Sequence, residues 1–227
     1  MPAPSNALRF KRHLLRWFRR AGRPLPWRAT RDPYRVLVSE FMLQQTQASR
    51  VAEYYPRFLK RYPTVHDLAK ATPGRVREAW DGLGYYRRAE NLHRLAQVVV
   101  KHHDGRVPGR PEVLRTLPGV GPYTAAAVAT FAYERLEAPV DTNVARVLRR
   151  AFRPRLRAGT HGAHQLQELA YAVLPGRPKV AWEFNQALMD LGATVCKARR
   201  PDCPRCPVRS ACKTGRMDLI PAAGVRR

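Results

Sequence analysis

The sequence predicts an all-α protein, and three observations carry that expectation. Apolar residues recur at helical spacing along nearly the whole chain, no convincing run alternates apolar and polar residues as a half-buried strand does, and prolines and glycines punctuate the stretches between. With 227 residues, 44% of them hydrophobic, the chain can bury a substantial core and is neither disordered nor membrane-like in composition. The longest mostly apolar run, Ala125 to Ala132, is far short of the ~20 residues that a bilayer span needs.

The first element expected is the basic, amphipathic stretch Met1 to Arg20, with Leu8, Leu14, Leu15, Trp17 and Phe18 at helix-like spacing. It resembles an organelle transit peptide in composition, but it runs into patterned sequence without a small-residue cleavage site, and we read it as part of the fold. Asp32-Pro33 then sets a capping carboxylate before a proline suited to a first helical turn, starting a helix through Val36, Leu37, Phe41 and Leu43. Further helices are expected over Val51 to Arg61, Arg75 to Trp80, Tyr86 to His102, Tyr123 to Tyr133, Val144 to Phe152, Ala163 to Val173 and Lys179 to Leu191. Pro73-Gly74, Pro108-Gly109, Pro154 and Pro175-Gly176 mark connections, and no repeat or low-complexity segment is found.

Forty-two basic residues face 17 acidic ones, a formal net charge of +25. A surface so charged repels itself unless a polyanion neutralises it, and nucleic acid is the usual partner. Genome bias explains arginine over lysine but not the scarcity of Asp and Glu. An anionic membrane surface is the lesser alternative, and no membrane partner is expected.

All the cysteines, Cys196, Cys203, Cys206 and Cys212, follow the pattern C-x6-C-x2-C-x5-C. Disulfides are disfavoured, because the rest of the chain carries no cysteine and looks intracellular. A structural zinc is the serious competitor, but zinc ribbons usually present two short C-x2-C knuckles and only one close pair exists here. The wider gaps favour a loop wrapped around a [4Fe–4S] cluster, whose irons each take one thiolate. Lys197, Arg199, Arg200, Arg205 and Arg209 make the same loop basic and suited to phosphates.

Leu117-Pro118-Gly119-Val120-Gly121 lies between two expected helices. Its glycines let backbone N–H groups approach a ligand closely, and the following helix exposes its positive dipole end, a geometry that binds phosphate without reading sequence. The alternative is an ordinary tight turn. Downstream, Asp141 in Val140-Asp141-Thr142-Asn143-Val144 is suited to an N-cap, with a free oxygen left to face a cleft. Glu40, set among Val36, Leu37, Val38, Phe41 and Leu43, is either an exposed helix glutamate or a desolvated acid of raised pKa. Two carboxylates in unlike environments are what glycosidic hydrolysis needs: one protonated to help the leaving group, one ionised beside an oxocarbenium-like sugar. These residues are compatible with that chemistry, and their spacing does not establish it.

Taken together, Pro26-Trp27-Arg28, SEFMLQQTQ (Ser39 to Gln47), GLGYYRRAENLH (Gly82 to His93), LPGVGPYTAAAV (Leu117 to Val128), VDTNVARV (Val140 to Val147) and FNQALMDLGATVC (Phe184 to Cys196) resemble the helix-hairpin-helix (HhH-GPD) DNA glycosylase superfamily, and within it the MutY adenine glycosylases. The resemblance runs from about Leu14 to Cys212. It implies two lobes, a six-helix barrel over residues 30–135 and an iron–sulfur cluster lobe formed by 1–29 with 136–227. It also implies double-stranded DNA bearing a mismatched or damaged base as partner, with the target nucleotide flipped out of the stack. By the same resemblance Glu40 is proton donor to the leaving base and then assists water, while Asp141 stabilises the cationic sugar with Asn143 and Tyr123 beside it. Gln45 and Tyr85 match residues that fill the gap in the duplex and probe the opposite base, core packing being the alternative for Tyr85 and Tyr86. Arg23 and Arg28 match adenine-pocket residues, and Leu117, Gly119, Val120 and Gly121 form the DNA-gripping hairpin. A [4Fe–4S] cofactor on the four cysteines, a monomer, and a cytoplasmic, nucleoid-associated location complete the expectation.

Two positions set the subclass. Bifunctional relatives such as endonuclease III carry a nucleophilic lysine in the helix after the hairpin; the stretch Pro122-Tyr123-Thr124-Ala125 has none, tyrosine standing in its place. A monofunctional glycosylase is therefore expected. Gln186 can donate to and accept from an adenine edge, as in the adenine enzymes, whereas mismatch-specific thymine glycosylases look apolar there; the alternative is a helix-surface glutamine. Two features depart from the MutY pattern: Thr142 replaces a glycine after the aspartate, and the chain ends fifteen residues after Cys212, so the C-terminal domain that recognises 8-oxoguanine is expected to be absent. The first reading is removal of adenine opposite 8-oxoguanine or guanine in base excision repair, the second is removal of thymine or uracil opposite guanine, and a non-enzymatic DNA-binding protein is the third, disfavoured because both Glu40 and Asp141 are present.

Overall fold

In the computed structural model, residues 2–156 and 160–216 are described. Every regular element among them is helical. In chain order these are α1 (Ala7–Ala21), α2 (Pro33–Leu43), α3 (Ala48–Arg61), α4 (Val65–Lys70), α5 (Pro73–Ala79), α6 (Arg87–His102), α7 (Pro111–Leu114), α8 (Pro122–Tyr133), α9 (Thr142–Phe152), α10 (Thr160–Val173), α11 (Pro178–Asp190) and α12 (Lys213–Arg216). A 3-10 turn covers Pro26–Ala29 and another Arg209–Ala211, and Leu191–Val195 winds as a π-helix.

Proline and polar caps start the helices where expected. Asp32 accepts from the Arg35 amide at 2.8 Å and Pro33 occupies the first turn of α2. Asp141 caps α9 in the same way. The expected spans differ from those observed by a few residues, mostly at the N-terminal ends, where Pro73, Pro122 and Pro178 start helices ahead of the first apolar residue. Three short helices, α4, α7 and α12, have no counterpart in the sequence pattern. The one-turn α7 is too brief to show a period, and α4 is announced only by its capping box, Thr64 and Asp67 bonding to each other's amides.

The chain divides into two compact units, residues 24–135 and residues 1–23 with 136–227. In the first, α2 is buried along almost its whole circumference, from Tyr34 and Val36 through Met42, and packs against α3, α6, α8 and the Pro26–Ala29 turn. The small, apolar α8 lies on it with Ala125 through Ala129 buried. Phe58 meets Trp80 edge-on, ring centroids 5.7 Å apart, so α3 and α5 close on a shared aromatic contact. In the second unit, α1 buries Ala7, Phe10 and Leu14 beside Val144, Val147, Leu148 and Phe152 of α9 and Phe184, Leu188 and Leu191 near α11. The Phe10 and Phe152 rings meet at 4.9 Å. Asp190, with a side chain 1% exposed, bonds Arg23 through both side chain and backbone, at 2.6 Å and 2.9 Å, and so fixes the end of the N-terminal segment. No described helix is long and apolar enough to cross a membrane.

Candidate functional site

The residues singled out in the sequence fall in both units. In unit 24–135, Glu40 sits in the most buried helix of the unit and is 4% exposed, with its Oε2 cut off from solvent. The exposed-glutamate alternative is therefore wrong: the neighbours that fill the core on either side of it, Leu37, Val38 and Phe41, carry the carboxyl in with them. Ser39, equally buried, donates to its own helix at Val36 O, 2.7 Å away. Tyr123 lies in the first turn of α8, the helix packed on α2.

The hairpin before α8 is built as its sequence requires. Leu117 and Val120 turn into the core, and the Val120 amide donates to Leu117 O at 3.2 Å, closing the turn. Gly119 holds φ +75°, and a Cβ there would lie 2.8 Å from Asn91 Cβ and 3.0 Å from Phe41 Cε1, so both conformation and space demand glycine. Gly121 caps α8 without a side-chain bond, has open space around its Cα, and precedes Pro122.

Gln45 and Tyr85 are both exposed and both in the left-handed region, φ +57° and +48°, which residues with side chains seldom adopt. Core packing does not describe Tyr85, which is 60% exposed. Tyr86 differs: its hydroxyl donates to Asp81 Oδ1 at 2.6 Å and the Arg77 guanidinium lies 4.5 Å over its ring. Arg28 belongs to the 3-10 turn Pro26–Ala29 beside buried Trp27.

In the other unit, Asp141 is a helix cap, its Oδ1 accepting from the Val144 amide at 2.6 Å. Its second oxygen takes a 3.0 Å bond from Asn143 Nδ2. Arg146, one turn further along α9, donates to Asn143 Oδ1 at 2.8 Å, Gly192 O at 2.7 Å and Cys196 O at 2.8 Å. Arg150, a turn beyond, reaches Lys197 O, Ala198 O and the Cys196 sulfur, the last at 3.4 Å. One face of α9 thus ties the Asp141 cap to the cysteine loop. Gly192 is needed for that approach, since a Cβ would fall 2.7 Å from Asn143 Cβ. Sequence reasoning misses these arginines, because they look like part of the general basic excess; the i, i+3, i+7 spacing from Asn143 is the available signal.

Cys196, Cys203, Cys206 and Cys212 line one cavity, part of it open to solvent, together with apolar Phe10 and Leu191. Among the described residues no three Cys, His, Asp or Glu side chains converge on a single-ion site. Burial pushes the Cys206 thiol up to about 12 and raises Cys203 and Cys212 as well. Gln186 on α11 is 5% exposed, which excludes a helix-surface glutamine. Arg23, expected in a base pocket, is held by Asp190 through its guanidinium.

Residues 38–181 match the model of the HhH-GPD superfamily base excision DNA repair protein. The adenine DNA glycosylase of Mycobacterium tuberculosis is 49% identical over 197 residues, which cover 86% of this chain and 64% of that protein; the chain therefore spans just under two thirds of that relative's length. The adenine DNA glycosylase of Mycolicibacterium smegmatis is 44% identical, covering 94% of this chain and 72% of that protein. Among solved structures, a thermostable thymine-DNA glycosylase superposes with a TM-score of 0.86 at 34% identity, over 93% of this chain and 97% of that one.

Proposed function

The chain belongs to the HhH-GPD superfamily of base excision DNA repair proteins, and from that premise we propose that it is a monofunctional adenine DNA glycosylase, hydrolysing the N-glycosidic bond of adenine mispaired with 8-oxoguanine or guanine in double-stranded DNA. The observation that carries the reading is the contrast between two carboxylates. Glu40 is buried in an apolar helix, which disfavours its charged form. Asp141 is half-buried and accepts two hydrogen bonds, from the Val144 amide and from Asn143 Nδ2.

The roles follow. Glu40 donates its proton to the leaving base as the C1′–N bond breaks. Ionised Asp141, oriented by its cap, stabilises the cationic sugar. Glu40, now a carboxylate, takes a proton from the attacking water, which forms the new C1′–O bond. Tyr123 replaces the lysine that would open a covalent route, so the product is an abasic site in an uncut strand. Gln186 offers a buried amide able to pair with an adenine edge. Gln45 and Tyr85 probe the duplex, Arg28 lines the base pocket, and the Leu117–Gly121 turn holds a phosphate by its main chain. Arg23 belongs to the same base pocket, and its bonds to Asp190 also anchor the N-terminal segment.

A [4Fe–4S] cluster fits the cysteine loop: four thiols share one cavity with an apolar wall, and Arg150 faces the Cys196 sulfur. Cys196, Cys203, Cys206 and Cys212 would hold the cluster, which would supply a covalent framework for the loop. Arg146 and Arg150 then hold that loop to the helix that Asp141 caps.

The likeness to a thymine-DNA glycosylase structure sustains a second reading, thymine or uracil removal opposite guanine. The test is to identify the base released from A·8-oxoguanine, A·G, T·G and U·G duplexes, with borohydride added in parallel. Free adenine and no trapped adduct support the proposal. Release of thymine or uracil selects the second reading, and a strong covalent adduct overturns monofunctional hydrolysis.

A further inference from the structure

Arg88, in the first turn of α6, is 6% exposed, yet no carboxylate among the described residues pairs with it. A buried charge without a counterion is destabilising unless polar groups replace its hydration. Here main-chain carbonyls do so, from two separate segments. Nη1 donates to Phe41 O at 3.1 Å, Met42 O at 2.7 Å and Gln44 O; Nη2 donates to Leu83 O at 3.2 Å and Gly84 O at 3.0 Å; Nε donates to Tyr85 O at 3.4 Å. The first three are the carbonyls that end α2, where the helix dipole is negative and intrahelical donors run out. The guanidinium also lies 5.5 Å over the Tyr85 ring and 5.4 Å over Trp80.

The residues that leave these two segments are Gln45 and Tyr85, and both hold positive φ. Backbone strain of this kind persists only where the surroundings over-determine it. We propose that Arg88 is a positioning residue that locks Gln45 and Tyr85 into one rigid module, so that the two side chains enter the duplex together. The inference rests on the proposed duplex-probing role of Gln45 and Tyr85 and adds what holds them. Only a planar fork with donors on three nitrogens spans both segments; a lysine keeps the charge but presents a single nitrogen.

The test uses the full-length protein and a duplex carrying 2-aminopurine beside the mismatched adenine, whose fluorescence rises when the base unstacks. Wild type, Tyr85→Ala, Arg88→Lys and Gly84→Ala are compared at a temperature where circular dichroism shows each is folded. Gly84 has φ +69°, and a Cβ added there would meet nothing within 4 Å, so its substitution disturbs the same corner without touching the core. Base–aromatic stacking of this kind is worth about a tenfold change in affinity, so Arg88→Lys and Gly84→Ala are each expected to lose most of the fluorescence rise and about tenfold in mismatch-over-matched affinity, as Tyr85→Ala does. Should Arg88→Lys not fold, Gly84→Ala carries the same comparison. If Tyr85→Ala loses the signal while the folded Arg88→Lys or Gly84→Ala keeps it, the positioning role is overturned and the probing role stands. If Tyr85→Ala keeps the signal, the probing role itself fails and the inference with it.

Discussion

Asp141 caps α9, and the proposed chemistry also asks it to stabilise a cationic sugar; substitutions at this one position separate the two roles. Alanine removes both bonds, the 2.6 Å one from the Val144 amide and the 3.0 Å one from Asn143. A lost cap costs about 0.5–2 kcal/mol, and the lost Asn143 bond about 1 kcal/mol more. For a chain of this size each kcal/mol shifts Tm by about 2–4 °C, so Asp141→Ala is expected to melt several degrees below wild type. Asparagine is itself a good cap, but it has one acceptor oxygen where aspartate has two, so Asp141→Asn keeps the bond to Val144 and loses the one from Asn143. Its stability therefore lies between wild type and alanine. The charge, by contrast, is gone in both variants, and removing one preorganised electrostatic group from such a site slows chemistry by about 100- to 1,000-fold. The assay is single-turnover base release well below Tm, with thermal melts alongside. Both variants slow alike while differing in Tm if the reasoning holds. Full activity in Asp141→Asn would reduce Asp141 to a helix cap, and equal Tm losses in the two variants would refute the capping geometry.

Gly119→Ala forces an L-residue into φ +75° and crowds Asn91 and Phe41; a loss of about 2–4 kcal/mol is expected by chemical denaturation. Gly121→Ala meets nothing within 4 Å, so its Tm should barely move while duplex affinity falls, measured by anisotropy over a salt series. Arg146→Ala leaves Gly192 O and Asn143 Oδ1 without their charged donor and Cys196 O with only the 3.5 Å bond from Arg150, and is expected to slow base release and lower bound iron together; unchanged rate with unchanged iron would show the ladder to be inert. Cys206→Ser, at a thiol that burial pushes up to about 12, should lose the visible absorption of an iron–sulfur cluster and much of its soluble yield; a colourless wild-type protein containing zinc would count against the cluster.

The fold class is legible because helix starts are local. Asp32-Pro33, Asp141 and the prolines at 122 and 178 announce themselves within a turn, and the apolar spacing between them needs no partner to be read. Glu40 is half legible: its apolar neighbours suggest burial, and only packing of α2 on three helices and a turn completes it. The arginines are the hard part. In a chain with 42 basic residues, nothing local distinguishes the exposed Arg87 from Arg88, whose carbonyl partners in α2 lie 46 and 47 positions away. Arg23 is the same lesson, since its partner Asp190 is 167 residues distant. A contact of that kind is a property of the tertiary fold, which no local pattern announces.

In the proposed reaction Glu40 supplies the proton on which base release depends. The decisive assay is single-turnover release of adenine from an A·8-oxoguanine duplex by wild type and by Glu40→Gln, at enzyme concentrations that saturate binding. Rapid release by wild type and essentially none by the glutamine variant is the expected result, with duplex affinity and Tm little changed. Comparable rates in the two proteins would contradict it.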